Sequence, residues 1–270
     1  DLLVALGRLR ARAAAGQVSD SDSPGALLMA LLAGDLPARA VREMEADGLL
    51  EWVLPELAAC RGFSPGGPHR SDVLDHALCV LDAVVSMQSF LGGGPASGRA
   101  AAQAPIHAVL ARHGRILQGH YAAEGASAGT SPALLLRVAA LLHDIGKPVV
   151  AGSGLIGSDA GHGGHDRVGG AMSGAMARRL GLDPAAASRV ERIVGAHSRP
   201  LALAREGLTE KSIETYWREL AGLGLDVALL SLADNACKAA APGDRLATVS
   251  TAASRLIEAW RAGAGSVALP

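Results

Sequence analysis

Aromatic side chains are scarce in these 270 residues, at 3% of the chain, with three Trp, two Tyr and two Phe. A surface that stacks nucleic-acid bases needs several aromatic side chains close together, so no such platform is expected. An excess of basic charge is also lacking, because 25 Lys and Arg face 26 Asp and Glu and the formal net charge is −1. Proteins that coat nucleic acid normally carry a basic face, so any contact with nucleic acid should be local.

Cysteines and long apolar runs are few as well. The three cysteines, Cys60, Cys79 and Cys237, include no closely spaced pair that would bind zinc. The sequence therefore predicts buried, reduced thiols. We find no apolar run of the roughly 18 residues that span a membrane, and no signal peptide. These absences favour a cytoplasmic protein without membrane contact.

Hydrophobic residues are plentiful, at 49% of the chain, and they recur at helical spacing without strict alternation. The fold class is therefore predicted as all-α. Helices are expected over about 1–15, 26–33, 37–47, 49–60, 71–91, 105–121, 132–145, 165–180, 184–197, 209–220, 226–240 and 244–262.

Composition also indicates how the chain is organised. Residues 1–65 are interpreted as a short helical lead-in, and residues 66–270 as the main domain. Two stretches rich in Gly, Ala and Ser, at about 92–104 and 122–131, interrupt that domain and are predicted as surface insertions.

Four histidines and two aspartates stand out because they fall on, or at the end of, apolar helix faces. His197, for example, follows Val190, Ile193 and Val194 at the i, i+3, i+4, i+7 spacing of one helix face. Burying an unpaired charge costs several kcal/mol, so such groups are normally paired or bound to metal. One histidine on an apolar face is more often a satisfied core residue, and only the whole set indicates a metal site. The set is His76, His143, Asp144, His165, His197 and Asp234.

Imidazole nitrogens and carboxylate oxygens together favour Mn, Fe, Ni, Co or Zn, with Mg as a further candidate. Six such donors are too many for one tetrahedral site. They suit two ions about 3.5–4 Å apart, with water in the open positions. Asp144 has two oxygens and is the candidate bridge between the ions, so we also expect it to be catalytic.

The motifs around these residues resemble the HD superfamily of metal-dependent phosphohydrolases. They are LLHDIGKP (141–148), GHDRVGG (164–170), AHSRP (196–200) and LADNACK (232–238). The resemblance implies an HD-domain helical bundle in which the six residues bind the metals. It also implies hydrolysis of phosphate esters by a metal-activated hydroxide.

Two further segments, GLLEWVLPEL (48–57) and PHRSDVLDHALCVLDAV (68–84), are similar to the C-terminal part of bacterial tRNA nucleotidyltransferases and poly(A) polymerase-like proteins. In that family an HD domain follows a nucleotidyltransferase head. Such a head needs a Gly-Gly-Ser turn followed by an Asp-x-Asp pair. Asp20 and Asp22 have this spacing without the turn, so they are interpreted as part of a loop, and nucleotide addition is not expected.

Five basic residues are candidates for binding the substrate. Lys147, in the HDIGK segment, is implied by the resemblance to hold the substrate phosphate or the attacking water, and is a second candidate catalytic residue. Arg199 suits bidentate contacts with phosphate oxygens, and Lys238 lies one helical turn beyond Asp234. His69 and Arg70 precede the first ligand helix and are expected at the entrance.

The remaining histidines are not expected in the site. His107, His113 and His120 lie in or beside the insertions and are predicted at the surface, although His113 and His120 could share a helix face. His162 is predicted in a loop, with His165 as the ligand of that segment.

Three functions are compatible with these residues. The first is a metal-dependent phosphohydrolase acting on phosphate esters, with nucleotides or 2′,3′-cyclic phosphates as its substrates. The second is an HD-fold module that binds tRNA or an RNA 3′ end and partners a separate nucleotidyltransferase. The third is a nucleotidase or dNTP triphosphohydrolase.

Overall fold

The computed structural model describes residues 2–15, 23–64, 72–94, 104–123, 130–152, 164–238 and 242–264. Within these ranges the chain is helical and contains no strand, which confirms the all-α prediction. The helices are α1 (Leu2–Ala14), α2 (Pro24–Ala33), α3 (Pro37–Ala46), α4 (Leu50–Val53), α5 (Pro55–Ala58), α6 (Val73–Leu91), α7 (Ala104–Ala123), α8 (Pro132–Leu142), α9 (Lys147–Gly152), α10 (Gly164–Arg179), α11 (Pro184–Gly195), α12 (Arg199–Glu206), α13 (Glu210–Leu220), α14 (Leu223–Cys237) and α15 (Pro242–Ala259), followed by a π-helical turn (Trp260–Ala264).

Most predicted helices are present, and local sequence explains their starts. α2, α8 and α11 each begin with a proline that follows a capping residue. The side chains of Ser23, Ser131 and Asp183 accept hydrogen bonds from backbone N–H groups of the first turn. Proline costs nothing at this position because the first-turn N–H groups have no partner within the helix.

Several elements differ from the prediction. The helix expected over 49–60 is divided into α4 and α5 at Pro55, which cannot continue a helix. The helix expected over 132–145 ends at Leu142, so His143 and Asp144 lie in the turn that follows it. The short helices α9 and α12 were not predicted.

The centre of the fold is α14, whose 15 residues are all buried. It packs against α6, α11 and α15, and α8 packs against α6 and α11. The helices that end at or carry the candidate ligands are thus direct neighbours in the core.

The lead-in helices join the same core. α2 contacts α8, α3 contacts α6, and one hydrophobic cluster extends from Leu6 in α1 to Ile257 in α15. The predicted boundary between a lead-in of residues 1–65 and a main domain of residues 66–270 therefore stays a prediction. The insertions at 92–104 and 122–131 lie mostly outside the described residues, and Asp20 and Asp22 lie wholly outside them.

The prediction of three reduced cysteines is wrong for two of them. Cys79 on α6 and Cys237 at the end of α14 form a disulfide, with their Cα atoms 5.9 Å apart. They are separated by 158 residues in sequence, so no local spacing could indicate the pair. Cys60 alone is a free, buried thiol.

The prediction for the peripheral histidines is correct for His107, which is exposed, and wrong for His113 and His120, which are buried. His113 Nε2 lies 2.6 Å from Ser254 Oγ. His120 Nε2 lies 3.2 Å from the carboxylate of the fully buried Asp226. Both histidines face the interior because α7 packs against α15, α14 and α6.

One described helix, Val73–Leu91, is long and apolar enough to cross a membrane, which the sequence inspection did not foresee. The helices Glu210–Leu220 and Leu223–Cys237, which meet at a bend, are also long and apolar enough when they are taken together. Of the apolar window in Val73–Leu91, 61% is buried inside the protein. This helix contacts α3, α7, α8 and α14, as the core helix of a helical bundle does.

Candidate metal centre

Five separate elements bring the six predicted residues together. His76 lies in the first turns of α6, His143 and Asp144 follow α8, His165 opens α10, His197 follows α11, and Asp234 lies near the end of α14. Five of the six are at most 2% exposed, whereas the His165 side chain is 23% exposed. The cluster is therefore closed on most sides and open beside His165.

The carboxylate of Asp144 divides the cluster into two groups of donors. Its Oδ2 lies 3.2 Å from His143 Nε2 and 3.6 Å from His76 Nε2. Its Oδ1 lies 3.7 Å from His165 Nε2 and 3.8 Å from His197 Nε2. Asp234 Oδ1 completes the first group, 2.9 Å from His76 Nε2. Within each group the donor atoms lie within 4.8 Å of one another, close enough to hold one metal ion.

Backbone hydrogen bonds orient two of the imidazoles. His143 Nδ1 lies 2.9 Å from the carbonyl oxygen of Ala140, and His197 Nδ1 lies 2.8 Å from that of Val194. A carbonyl oxygen only accepts, so Nδ1 carries the proton in both rings. Each Nε2, the other ring nitrogen, then faces a carboxylate oxygen of Asp144. A hydrogen bond from the second ring nitrogen to a backbone carbonyl is typical of metal-binding histidines.

The surroundings of His143 are suited to a bound cation. Its Nε2 is fully buried and has no aligned hydrogen bond, although oxygens of Asp144 and Asp234 lie 3.2 and 3.7 Å away. Burial by itself lowers the pKa of this imidazole, but the two carboxylates outweigh burial and raise the pKa to about 9. A lone pair aimed at carboxylates is unfavourable, so either a proton or a metal ion belongs between them. The residues present therefore fit a divalent metal.

Two lysines contact the aspartates of the cluster. Lys147 Nζ donates to Asp144 Oδ2 at 2.6 Å, and Lys238 Nζ donates to Asp234 Oδ2. Burial alone would raise the pKa values of the two carboxyl groups, but the neighbouring histidines and lysines hold them well below their usual range. Both carboxylates are thus charged at neutral pH and available as ligands.

The sequence reasoning missed Asp166. This side chain is 3% exposed, its Oδ1 lies 2.8 Å from His165 Nε2 and 3.5 Å from His197 Nδ1, and its Oδ2 accepts a hydrogen bond from Ser198. Burial would raise the pKa of Asp166, but the two histidines and Ser198 lower it. A signal was available, because His165–Asp166 repeats the His-Asp pair of 143–144.

The other predicted substrate residues are placed differently. Arg199 forms an ion pair with Glu219 at 2.6 Å, and its guanidinium lies 5.8 Å from the ring centre of Tyr216. A role as phosphate clamp would require this pair to break, so that role stays a prediction. His69 and Arg70 lie outside the described residues, as does His162.

Close backbone packing fixes the turn that carries the His-Asp pair. A Cβ added to Gly146 would lie 2.6 Å from Gly169 N and closer still to the His165 carbonyl oxygen. Only glycine lets this turn lie directly on the first turns of α10. The contact therefore holds Asp144 beside His165.

Substituting Gly146→Ala should destabilise the fold by about 3 kcal/mol, because the clash is with backbone atoms that cannot rotate away. Chemical denaturation of the two proteins would measure this difference. Gly152→Ala is the matched control, since a Cβ there meets nothing within 4 Å. Equal stability of the Gly146 and Gly152 variants would show that this packing is not required.

Comparison with known proteins shows what this chain is similar to. Residues 109–237 match the family model for the HD domain. Five of the six clustered residues fall inside the matched segment, and His76 precedes it. The chain is also 32% identical over 171 residues to an A-adding tRNA nucleotidyltransferase from Deinococcus radiodurans. That alignment covers 63% of this chain and 30% of the relative, so the chain spans about a third of the relative's length.

Proposed function

We propose that this HD domain is a metal-dependent phosphohydrolase acting on phosphate esters, with nucleotides or 2′,3′-cyclic phosphates as its substrate class and the cytoplasm as its location. The observation that carries the proposal is the carboxylate of Asp144, whose two oxygens face two different pairs of histidines. An aspartate so placed is suited to join two ions. The HD-domain match supports the same chemistry.

The donors divide unequally between two proposed subsites. His76, His143, Asp144 and Asp234 would hold one ion, and Asp144, His165 and His197 would hold the other. Nitrogen and oxygen donors of this kind favour Mn, Fe, Ni, Co or Zn, with Mg as a further candidate. When bound, such ions would lower the pKa of a water molecule and offset the charge on phosphoryl oxygens.

The chain's own residues would orient the metal ligands and exclude water from the site. The carbonyl groups of Ala140 and Val194 fix two imidazoles, and the surrounding apolar helices keep bulk water away from the buried side of the cluster. A low-dielectric wall of this kind strengthens contacts with an anionic substrate. Access is expected beside the partly exposed His165.

Lys147 and Lys238 are proposed to contact the substrate phosphate. Their side chains are 11% and 12% exposed, and each ammonium group already lies on a carboxylate of the cluster. An ammonium group beside Asp144 or Asp234 can approach an oxygen of a phosphate that is bound at the metal cluster.

Substituting Lys147→Ala should raise KM for a phosphate ester about tenfold and lower kcat as well, because one charge-assisted contact is worth about 1.5–3 kcal/mol. Steady-state kinetics would measure this effect. Lys211→Ala, at an exposed position of α13, is the control and should leave both constants unchanged. Unaltered kinetics in the Lys147 variant would remove it from the substrate site.

The proposal is tested by hydrolysis of p-nitrophenyl phosphate, bis-p-nitrophenyl phosphate, 2′,3′-cyclic AMP and nucleoside mono-, di- and triphosphates. Each would be assayed with Mn, Ni, Co, Zn or Mg. Turnover of the diester and the cyclic nucleotide supports the phosphodiesterase assignment, whereas turnover of nucleotides alone indicates a nucleotidase or triphosphohydrolase. Absence of turnover with every metal would remove the enzyme function.

The resemblance to a tRNA nucleotidyltransferase favours a second candidate. The chain would then bind a tRNA or another RNA 3′ end on behalf of a separate nucleotidyltransferase. Filter binding of tRNA with and without metal discriminates the two. Tight binding without hydrolysis would favour this module over the enzyme.

A further inference from the structure

We infer that Cys79 and Cys237 form a thiol–disulfide exchange site that takes a dithiol reductant and sets the metal affinity of the cluster. The inference rests on the proposed metal binding. The bridge joins α6 to α14, the two helices that carry His76 and Asp234.

Each cysteine lies one helical turn beyond a candidate ligand. Cys79 follows His76 by three residues, and Cys237 follows Asp234 by three residues. Residues three apart lie on neighbouring positions of one helix face, about 5–6 Å apart. The covalent bridge and the 2.9 Å contact between His76 Nε2 and Asp234 Oδ1 therefore tie the same two helices one turn apart.

A reductant can reach Cys79. This residue is partly exposed and lies in the wall of an open groove of about 1400 Å³ between α3, α6 and the start of α8. Cys237, in contrast, is 8% exposed. The free thiol of Cys60 offers no alternative site, since it is fully buried and burial raises its pKa to about 12.

The exchange proceeds in two steps that balance. A thiolate of the dithiol attacks Sγ of Cys79, the protein S–S bond breaks, and Cys237 leaves as a thiolate that takes up a proton. The second thiol of the reductant then attacks the mixed disulfide, and Cys79 leaves and is protonated. The protein disulfide has gained two electrons and two protons, and the reductant has become a disulfide.

Reduction should loosen the adjacent ligand pair. Bonded sulfurs lie about 2.05 Å apart, whereas non-bonded heavy atoms prefer about 3.5–4 Å. Metal–ligand distances tolerate only about ±0.2 Å. A small separation of α6 and α14 would therefore weaken the subsite that contains His76 and Asp234, while the donors His165 and His197 on other elements would be unaffected.

The test begins with thiol counts on the full chain after treatment with oxidised glutathione, and again after dithiothreitol. In denaturant we expect one reactive thiol in the oxidised protein and three in the reduced protein. Three thiols after oxidation, or one after dithiothreitol treatment of the native protein, would overturn the inference.

Metal affinity is then measured by calorimetry with Mn²⁺ or Co²⁺ after the reductant has been removed without oxygen. We expect the Kd of the ion bound at the subsite that contains His76 and Asp234 to rise about tenfold on reduction. An effect of this size is typical of groups that support metal ligands. The double variant Cys79→Ser/Cys237→Ser should bind like the reduced protein in both conditions. Cys60→Ala should respond like the wild type.

Two results separate this inference from the proposed function. A Kd that changes less than twofold on reduction would overturn the switch, even if the protein is an active hydrolase. A reversible tenfold change in Kd would support the switch even if no phosphate ester is turned over. Since wild-type protein is reduced directly, poor folding of the serine variants would not prevent the measurement.

Discussion

Substituting Asp144→Asn is expected to lower metal-dependent turnover at least about 10³-fold, which corresponds to about 4 kcal/mol of transition-state stabilisation. An amide offers one oxygen and one N–H₂ group in place of two anionic oxygens. One pair of histidines would then face the amide N–H₂ group, which donates hydrogen bonds and cannot bind a metal ion. The negative charge that joins both subsites would also be lost. Metal content should fall below one ion per chain.

The comparison uses the same assay and elemental analysis on the wild type, Asp144→Asn and Asp82→Asn. Asp82 is an exposed carboxylate on α6 outside the cluster, so its substitution should leave turnover and metal unchanged. Turnover by the Asp144 variant within tenfold of the wild type would show that this carboxylate does not bridge the reacting centre.

Single histidine substitutions should distinguish the two subsites. His76→Ala removes a donor that faces Asp144 Oδ2, and His165→Ala removes one that faces Oδ1. Each variant should keep about one ion per chain and lose turnover about 100-fold or more, because two-metal chemistry needs both ions.

Elemental analysis and turnover would be measured for both variants, with His107→Ala as the control. His107 is exposed on α7 and packs its ring against Phe90. Loss of both ions from each single variant would indicate one shared site in place of two. Full turnover in either variant would exclude that histidine from the chemistry.

Helical periodicity predicted the fold class and the inward direction of the candidate ligands. Val190, Ile193 and Val194 are buried as the spacing required, and His197 follows them into the core. Such inferences succeed because the 3.6-residue repeat links sequence position directly to a face of the helix. The family resemblance supplied the rest, including the choice of His165 within its segment.

Features that depend on contacts between distant segments could not be predicted. The Cys79–Cys237 bridge joins residues 158 apart, and the burial of His120 depends on Asp226 in another helix. Asp166 is different, because the His-Asp pair at 165–166 could have indicated it, although its contact with His197 could not be predicted. Periodicity describes one helix at a time and does not say which helices meet.

The central claim is that imidazoles and carboxylates from five elements share metal cations. Metal per chain, measured by elemental analysis of the wild type and His143→Ala after incubation with Mn²⁺, tests it most directly. We expect about two ions in the wild type and fewer in the variant, since His143 Nε2 faces both Asp144 and Asp234. A wild-type chain that binds no metal, or equal content in the two proteins, would contradict the account.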